Sequence, residues 1–335
     1  MAVDTPSSGD ASTGPSAATE PLGRRQRLAG RAAPHRHLLA GSAALVVGAA
    51  VQALTGALFW LVAARVDTTT DVGRATALFT STLFIAYLAG LGLQVSLARF
   101  APGRDHDSHA VFAWGVVCTV VSTVVVSAGY LLLVDTAATR ELTGWSRLYG
   151  VGLFVLASTG AALTLIVDVR WMTVRRWSLV LVRIALVGVG RFPMLLVPIG
   201  DSETVHLFAV ASLPLLISGF AGVATMPWVT GARHRLFPLP STGRAAVRYS
   251  AVNYVSTLAY QAPQFVLPVI VLLAVRPEQN ASFYVAWGIV AIGLYVPMAM
   301  GQALLAEGGK EGAELHRQVR VILALTAGLM TAAAL

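Results

Sequence analysis

Two arginines, Arg183 and Arg191, are the residues whose type and spacing most clearly suggest chemistry in this chain. They lie within the apolar stretch Ser178–Ile199, and their spacing places them about 80° apart around a helix, on one wall. A guanidinium stays charged in an apolar setting, and its planar fork pairs bidentately with phosphate oxygens. The pair therefore favours contact with a pyrophosphate group. Arg183 lies about 9 Å along the helix from Trp177, so it could instead extend to the lipid headgroups.

A second polar group lies on the stretch Val252–Val275 and has a counterpart in the first apolar stretch. The candidate substrate-binding residues of this group are Asn253, Tyr260, Gln261 and Gln264, with Gln52 as the counterpart. Amide groups can pair with sugar hydroxyls, but such residues also form hydrogen bonds between membrane helices, and both uses stay open. No catalytic residue is assigned. The acidic and histidine residues within 104–109 form a short polar loop, and no metal site is predicted there.

Membrane-spanning helices are the elements expected to position these residues. The 335 residues are 56% hydrophobic and only 12% charged, whereas soluble domains carry about 25% charged residues. The single cysteine, Cys118, excludes an internal disulfide framework. The sequence also lacks the glycine motifs that bind ATP or dinucleotides. No cofactor, no nucleic-acid partner and no enzymatic activity are therefore expected.

Eight stretches are long and apolar enough to cross about 30 Å of hydrocarbon as helices. They are Leu38–Ala64, Ala75–Leu97, Ala110–Val134, Leu148–Val167, Ser178–Ile199, Val205–Val229, Val252–Val275 and Ala281–Leu305, and a ninth begins near Val319. Of the 24 basic residues, 17 fall on the side of the N-terminus and 5 on the other. Because cytoplasmic loops retain positive charge, the N-terminus is predicted to lie in the cytoplasm of a multi-pass protein of the plasma membrane.

An internal repeat appears when the chain is shifted by 209 positions, which aligns Gln52 with Gln261 and Gly92 with Gly301. The first helix pair then matches the seventh and eighth stretches, so two parallel lobes are expected. The predicted domains are a disordered cytoplasmic tail over 1–36, a six-helix lobe over 37–245, and an incomplete second lobe of about three helices over 246–335. A second lobe as long as the first would continue beyond Leu335, so the chain is expected to be C-terminally truncated.

Several segments resemble the multidrug/oligosaccharidyl-lipid/polysaccharide (MOP) exporter superfamily, and within it the Wzx-like polysaccharide flippases. The segments that carry this resemblance are Gly56-Ala-Leu-Phe-Trp-Leu-Val-Ala-Ala-Arg65, Asp71-Val-Gly-Arg-Ala-Thr-Ala-Leu-Phe79, Leu91-Gly-Leu-Gln-Val-Ser-Leu-Ala-Arg-Phe100, and Phe283-Tyr-Val-Ala-Trp287 leading to Leu305-Ala-Glu-Gly308. The resemblance implies an all-α, MATE-like bundle of two lobes around a central cavity.

The function implied by this resemblance is translocation of a lipid-linked, polyprenyl-pyrophosphate oligosaccharide for cell-surface polysaccharide or lipopolysaccharide biosynthesis, by alternating access of two lobes. Its partners would be that substrate, membrane lipids and, as a further option, other membrane proteins of polysaccharide assembly. Three alternatives remain. The first is a MATE-like drug antiporter, which would need an intramembrane carboxylate; Asp168 is predicted to lie at the end of a span instead. The others are a membrane glycosyltransferase or polysaccharide polymerase acting on the same lipid carrier, and a truncated, non-transporting remnant or interaction partner.

Overall fold

The computed structural model describes residues 24–101, 106–144, 147–231, 243–274 and 324. The side chains of residues 24–43 and 260–274 are not among those described. The chain divides into two units, Met1–His37 and Leu38–Leu335, and the account below concerns the second. Residues 24–36, which the sequence assigned to the tail, are helical, and residues 1–23 lie outside the described part.

Every described element is a helix, as the sequence predicted. The helices are α1 (Arg24–Val66), α2 (Thr69–Ala89), α3 (Leu93–Phe100), α4 (His106–Leu133), α5 (Ala137–Gly144), α6 (Arg147–Thr173), α7 (Trp177–Met194), α8 (Glu203–Thr230) and α9 (Gly243–Ala274). Six of them, α1, α2, α4, α6, α7 and α8, are long and apolar enough to cross a membrane. They overlap the first six predicted spans. The predicted seventh span falls on α9, whereas the eighth, and the ninth except for residue 324, lie outside the described residues.

The core of the bundle is built around α6, which packs against α8, α4 and α2. Glycines allow the closest of these approaches. A Cβ added to Gly160 would overlap the backbone of Leu216, and one added to Gly219 would overlap the backbone of Gly160. Small residues at such a crossing let membrane helices approach closely where no hydrophobic effect drives their association.

The second predicted span, Ala75–Leu97, is interrupted in the structure. Helix α2 ends at Ala89, Leu91 has a φ of 49° and Gly92 a φ of 68°, and α3 begins at Leu93. Hydropathy did not reveal this interruption because the residues around it are apolar. The two glycines, Gly90 and Gly92, were the available signal, since glycine adopts left-handed backbone conformations without steric cost.

Polar contacts join the N-terminal ends of α2 and α8 to the short helix α5. Arg74 forms an ion pair with Glu141, which also accepts a hydrogen bond from Ser202 at 3.3 Å. Thr204 donates to Asp71 at 2.9 Å. These contacts join the helices at the end of the bundle that is predicted, from the charge distribution, to lie outside the cell. Helix α5 itself was not predicted, because its eight residues lie in a stretch too short and polar to span a membrane.

Candidate functional site

Arg191 lies in the last turn of α7 and is buried in the bundle, with 7% of its surface exposed. Its Nε donates to the backbone oxygen of Ala211 on α8 at 3.1 Å. Its guanidinium carbon lies 5.0 Å from the ring centroid of Phe79 and 5.8 Å from that of Phe59. These two aromatic faces belong to α2 and α1, so four helices meet around one charge. Among the described residues no carboxylate pairs with it.

The end of α7 differs from the predicted span, which ran to Ile199. The helix ends at Met194, and the chain continues through tight turns in which the amide of Leu196 donates to the carbonyl of Pro193 at 3.2 Å. Proline removes a backbone donor and favours such an ending. Pro193 lies in the last turn of the helix, one residue before its end. Arg191 lies near this end and not at the middle of a longer span.

Arg183, the second predicted phosphate contact, pairs with Asp168 on α6. Its Nε and Nη2 donate to the two carboxylate oxygens at 2.7 and 2.5 Å, and the two side chains are 10% and 15% exposed. The prediction that Asp168 lies at the end of its span was wrong, because α6 continues to Thr173. This bidentate geometry neutralises both groups. The contacts of Arg183 lie on α6, whereas those of Arg191 lie on α8, α2 and α1.

The pairing of Asp168 with Arg183 could have been found from the sequence. Helices α6 and α7 are joined by the turn at Arg175 and Arg176, and the paired residues lie equally far from it on either side. In a hairpin of two antiparallel helices, residues equidistant from the turn lie at the same depth. Both residues can be read from the sequence. Because the predicted span ended at Val167, before Asp168, the two residues were not expected to lie at the same depth.

The structure describes only part of the second predicted group, the amide and hydroxyl residues on α1 and α9. Gln52 is exposed on α1. Asn253, on α9, donates from Nδ2 to the carbonyl of Tyr249 at 2.9 Å, which occupies one of its two amide N–H groups. Tyr260, Gln261 and Gln264 lie on α9, but their side chains lie outside the described part. Substrate binding by these residues and by the two arginines stays a prediction.

Possible metal ligands do not cluster in the described part of the chain: no group of three or more His, Cys, Asp or Glu side chains there could hold an ion. Part of the polar loop over 104–109 lies outside that description. The residues in contact with the two arginines that the sequence analysis did not assign to the candidate site are Asp168, Phe59 and Phe79. The two aromatic residues carried no distinguishing signal, because phenylalanine is ordinary in a membrane helix.

No family model and no curated protein matches the chain. Solved structures match it at low identity. A MATE transporter crystallised in the straight conformation has a TM-score of 0.69 and 15% identity, with 89% of this chain and 71% of that one covered. An outward-facing multidrug-resistance MATE family transporter of the MOP superfamily has a TM-score of 0.66 and 16% identity, with coverage of 88% and 68%.

A third similar structure is a MOP superfamily transporter from Pyrococcus furiosus, with a TM-score of 0.67 and 15% identity, covering 88% of this chain and 68% of that one. It is described as having a binding pocket of reverse polarity, which suggests a different function. These similarities show the fold. The chain is a multi-pass membrane protein with the fold of MATE-type transporters of the MOP superfamily, as the sequence predicted.

Proposed function

We propose that this protein transports an anionic amphiphile across the membrane by alternating access, and that its substrate is a lipid-linked polyprenyl-pyrophosphate oligosaccharide. The observation that supports this most directly is the buried guanidinium of Arg191, for which the described residues supply no carboxylate. The protein would carry out this transport in the plasma membrane, with its N-terminus in the cytoplasm. Surface polysaccharide biosynthesis is the process this transport would serve.

The electrostatic argument compares Arg183 and Arg191, the two arginines of α7. Arg183 is neutralised by Asp168, so it contributes little net charge. Arg191 has one carbonyl and two aromatic faces as partners, which orient the guanidinium but do not cancel its charge. A charge inside a membrane protein is costly unless it faces a partner or a cavity, and such residues usually mark a substrate path. A net positive interior attracts a pyrophosphate and repels a cationic drug.

The hydrogen-bonding capacity of Arg191 is consistent with such a ligand. A guanidinium has five N–H groups, and the Nε of Arg191 uses one on Ala211. The Nη groups carry the other four and have the fork geometry that suits phosphate oxygens. The Pyrococcus furiosus transporter, whose pocket of reverse polarity suggests a different function, offers a precedent for functional variation within this fold.

Complementation of a deletion strain tests this proposal. Loss of the protein should trap lipid-linked oligosaccharide in the inner leaflet and reduce surface polysaccharide. Arg191→Gln should fail to restore it, whereas Arg140→Gln, which removes an exposed arginine paired with Asp135, should restore it fully. Normal surface polysaccharide in the deletion strain would contradict the proposal.

A second candidate, a MATE-like antiporter of cationic compounds, is favoured by one observation. Asp168 places a buried carboxylate within the spanning helix α6, the kind of group that a cation-coupled exchanger requires. Its pairing with Arg183 argues against this use, since both of its carboxylate oxygens already accept hydrogen bonds from that guanidinium and neither is free to bind a coupling cation. Proton-coupled efflux of a cationic dye by the reconstituted protein would favour this candidate over the first.

A further inference from the structure

The first part of α9 lies against the interruption between α2 and α3. A Cβ on Gly92 would lie 2.5 Å from the carbonyl oxygen of Ser250 and 2.9 Å from the amide nitrogen of Tyr254. Gly92 also has a φ of 68°. The close approach and the left-handed backbone both require glycine at this position. The backbone of α9 therefore passes directly over the point where the second span is broken.

Tyr254 completes the hydrogen bonding of the broken helix. The last carbonyls of a helix lack donors within it, and in α2 two of these carbonyls accept from side chains of other helices. The hydroxyl of Tyr254 donates to the carbonyl of Leu88 at 2.6 Å, and that of Ser122, on α4, donates to the carbonyl of Ala89 at 2.7 Å. One of these caps comes from within the six-helix lobe. The other comes from α9.

The contact continues along α3 for two further turns. The hydroxyl of Ser96 donates to the carbonyl of Ala246 at 3.0 Å. The guanidinium carbon of Arg99 lies 4.8 Å from the ring centroid of Tyr249, and the ring of Phe100 meets that ring edge-on at 5.7 Å. The contacting residues recur every three or four positions on both helices, so one face of each is used.

The opposite face of α9 is exposed, with Val252 at 67% and Val255 at 68%. Helix α9 therefore touches the six-helix lobe along a single stripe. Apart from the close backbone approach at Gly92, the side-chain contacts of this stripe are two hydrogen bonds, one arginine–aromatic contact and one edge-on aromatic pair.

We infer that the contact of α3 with α9 is a clasp that closes the two lobes at their predicted cytoplasmic end and opens during transport. Helix α9 begins the predicted second lobe, and α3 ends the second span of the first, so separation of the lobes toward the cytoplasm must break this contact. Opening also leaves the carbonyl of Leu88 without its donor. The position of α9 thus decides whether the carbonyl of Leu88, at the end of α2, has a hydrogen-bond donor. The inference rests on transport by alternating access but not on the identity of the substrate.

Thiol labelling tests the clasp without any substrate. In a Cys118→Ser protein, which has no other cysteine, Ser96→Cys places a reporter at a position that is 2% exposed. Labelling by a membrane-impermeant maleimide from the cytoplasmic face then measures how often the clasp opens. Tyr254→Phe removes one hydrogen bond and should raise the labelling rate about fivefold.

The matched control for this substitution is Tyr130→Phe, which removes a tyrosine hydroxyl that shares a 2.7 Å hydrogen bond with Ser81 between α2 and α4. Both partners belong to the six-helix lobe, so the labelling rate at position 96 should not change. Equal rates in Tyr254→Phe and in the parent would overturn the inference. Labelling is informative even if lipid-linked oligosaccharide proves not to be the substrate.

A cross-link provides a second measurement. Ser96→Cys with Ala246→Cys should form a disulfide on oxidation, which requires Cα atoms within about 7 Å. The locked protein should lose transport, and a reductant should restore it. The control pair Ser122→Cys with Ala89→Cys, also in the Cys118→Ser protein, replaces the same kind of serine-to-carbonyl contact, at 2.7 Å, within one lobe and should leave transport unchanged. Full transport by the protein locked at 96 and 246 would overturn the inference.

Discussion

Replacing Asp168 by Asn would leave the guanidinium of Arg183 between α6 and α7 without its carboxylate. Both side chains are mostly buried, at 10% and 15% exposed, and both carboxylate oxygens accept hydrogen bonds. Loss of one partner from a buried pair costs about 3–5 kcal/mol, because the remaining charge is left uncompensated. Asp168→Asn and Arg183→Gln should each destabilise the folded protein by roughly this amount.

The double variant distinguishes this mechanism from a general sensitivity of the site. Asp168→Leu with Arg183→Met replaces the pair by apolar groups, and such replacements are often neutral. The free energy of unfolding of the double variant should therefore be close to that of the parent protein, although each change alone is destabilising. The exposed pair of Asp135 with Arg140, at 76% and 69% exposed, is the control and should contribute below about 1 kcal/mol.

The assay is thermal and denaturant unfolding of the purified protein in one detergent, with all variants compared at the same protein concentration. A double-mutant cycle of Asp168→Leu and Arg183→Met, each made alone and both together, then gives the coupling free energy between the two side chains. Coupling near zero, with the double variant as unstable as the sum of the singles, would refute the assignment of a buried ion pair to these residues.

Three further predictions concern other contacts within the helix bundle. Gly160→Ala should destabilise the protein, because a Cβ there overlaps α8, whereas Gly129→Ala on α4 meets open space and should be neutral; unfolding midpoints compare the two. Phe79→Leu removes an aromatic face from Arg191 and should cost about 1–2 kcal/mol, with Phe79→Trp retaining stability; the same unfolding assay applies. The partly exposed pair of Arg74 with Glu141 should show a coupling of about 1 kcal/mol or less in a double-mutant cycle, weaker in high salt.

Much of the fold could be predicted because lipid imposes simple rules on the sequence. A spanning segment must be a long apolar helix, since lipid cannot satisfy free backbone groups. The spans at α4 and α8 agree with the predicted ranges within a few residues. Their ends carry strong signals. Ser202, for example, accepts a hydrogen bond from the amide of Val205 at the start of α8, as serine commonly does at a helix N-terminus.

The interruption after Ala89 could not be predicted in the same way. Nothing in its hydropathy distinguishes it from continuous helix, and its stability depends on Tyr254, which lies far along the chain. A side chain that caps a helix from a distant element leaves no local pattern in the sequence. The glycines permit the break, but α9 and α4 supply the donors that make it favourable.

The surroundings of the two arginines could not be predicted from the sequence. The sequence identified two arginines on one helix and treated them as one wall. The structure gives Arg183 a carboxylate partner and Arg191 aromatic partners from two other helices. Angular spacing along one helix cannot reveal this difference, because the partners are set by how α7 packs against its neighbours.

The most direct test of the transport account measures movement of the proposed substrate between leaflets. Proteoliposomes would carry a fluorescent polyprenyl-pyrophosphate glycan, and a membrane-impermeant reductant would bleach only the label in the outer leaflet. The parent protein should expose the inner-leaflet label over time, and Arg191→Gln should slow this by about tenfold or more, the effect of losing a charge-assisted hydrogen bond. Exposure no faster than in protein-free vesicles, or equal in the parent and in Arg191→Gln, would contradict the account.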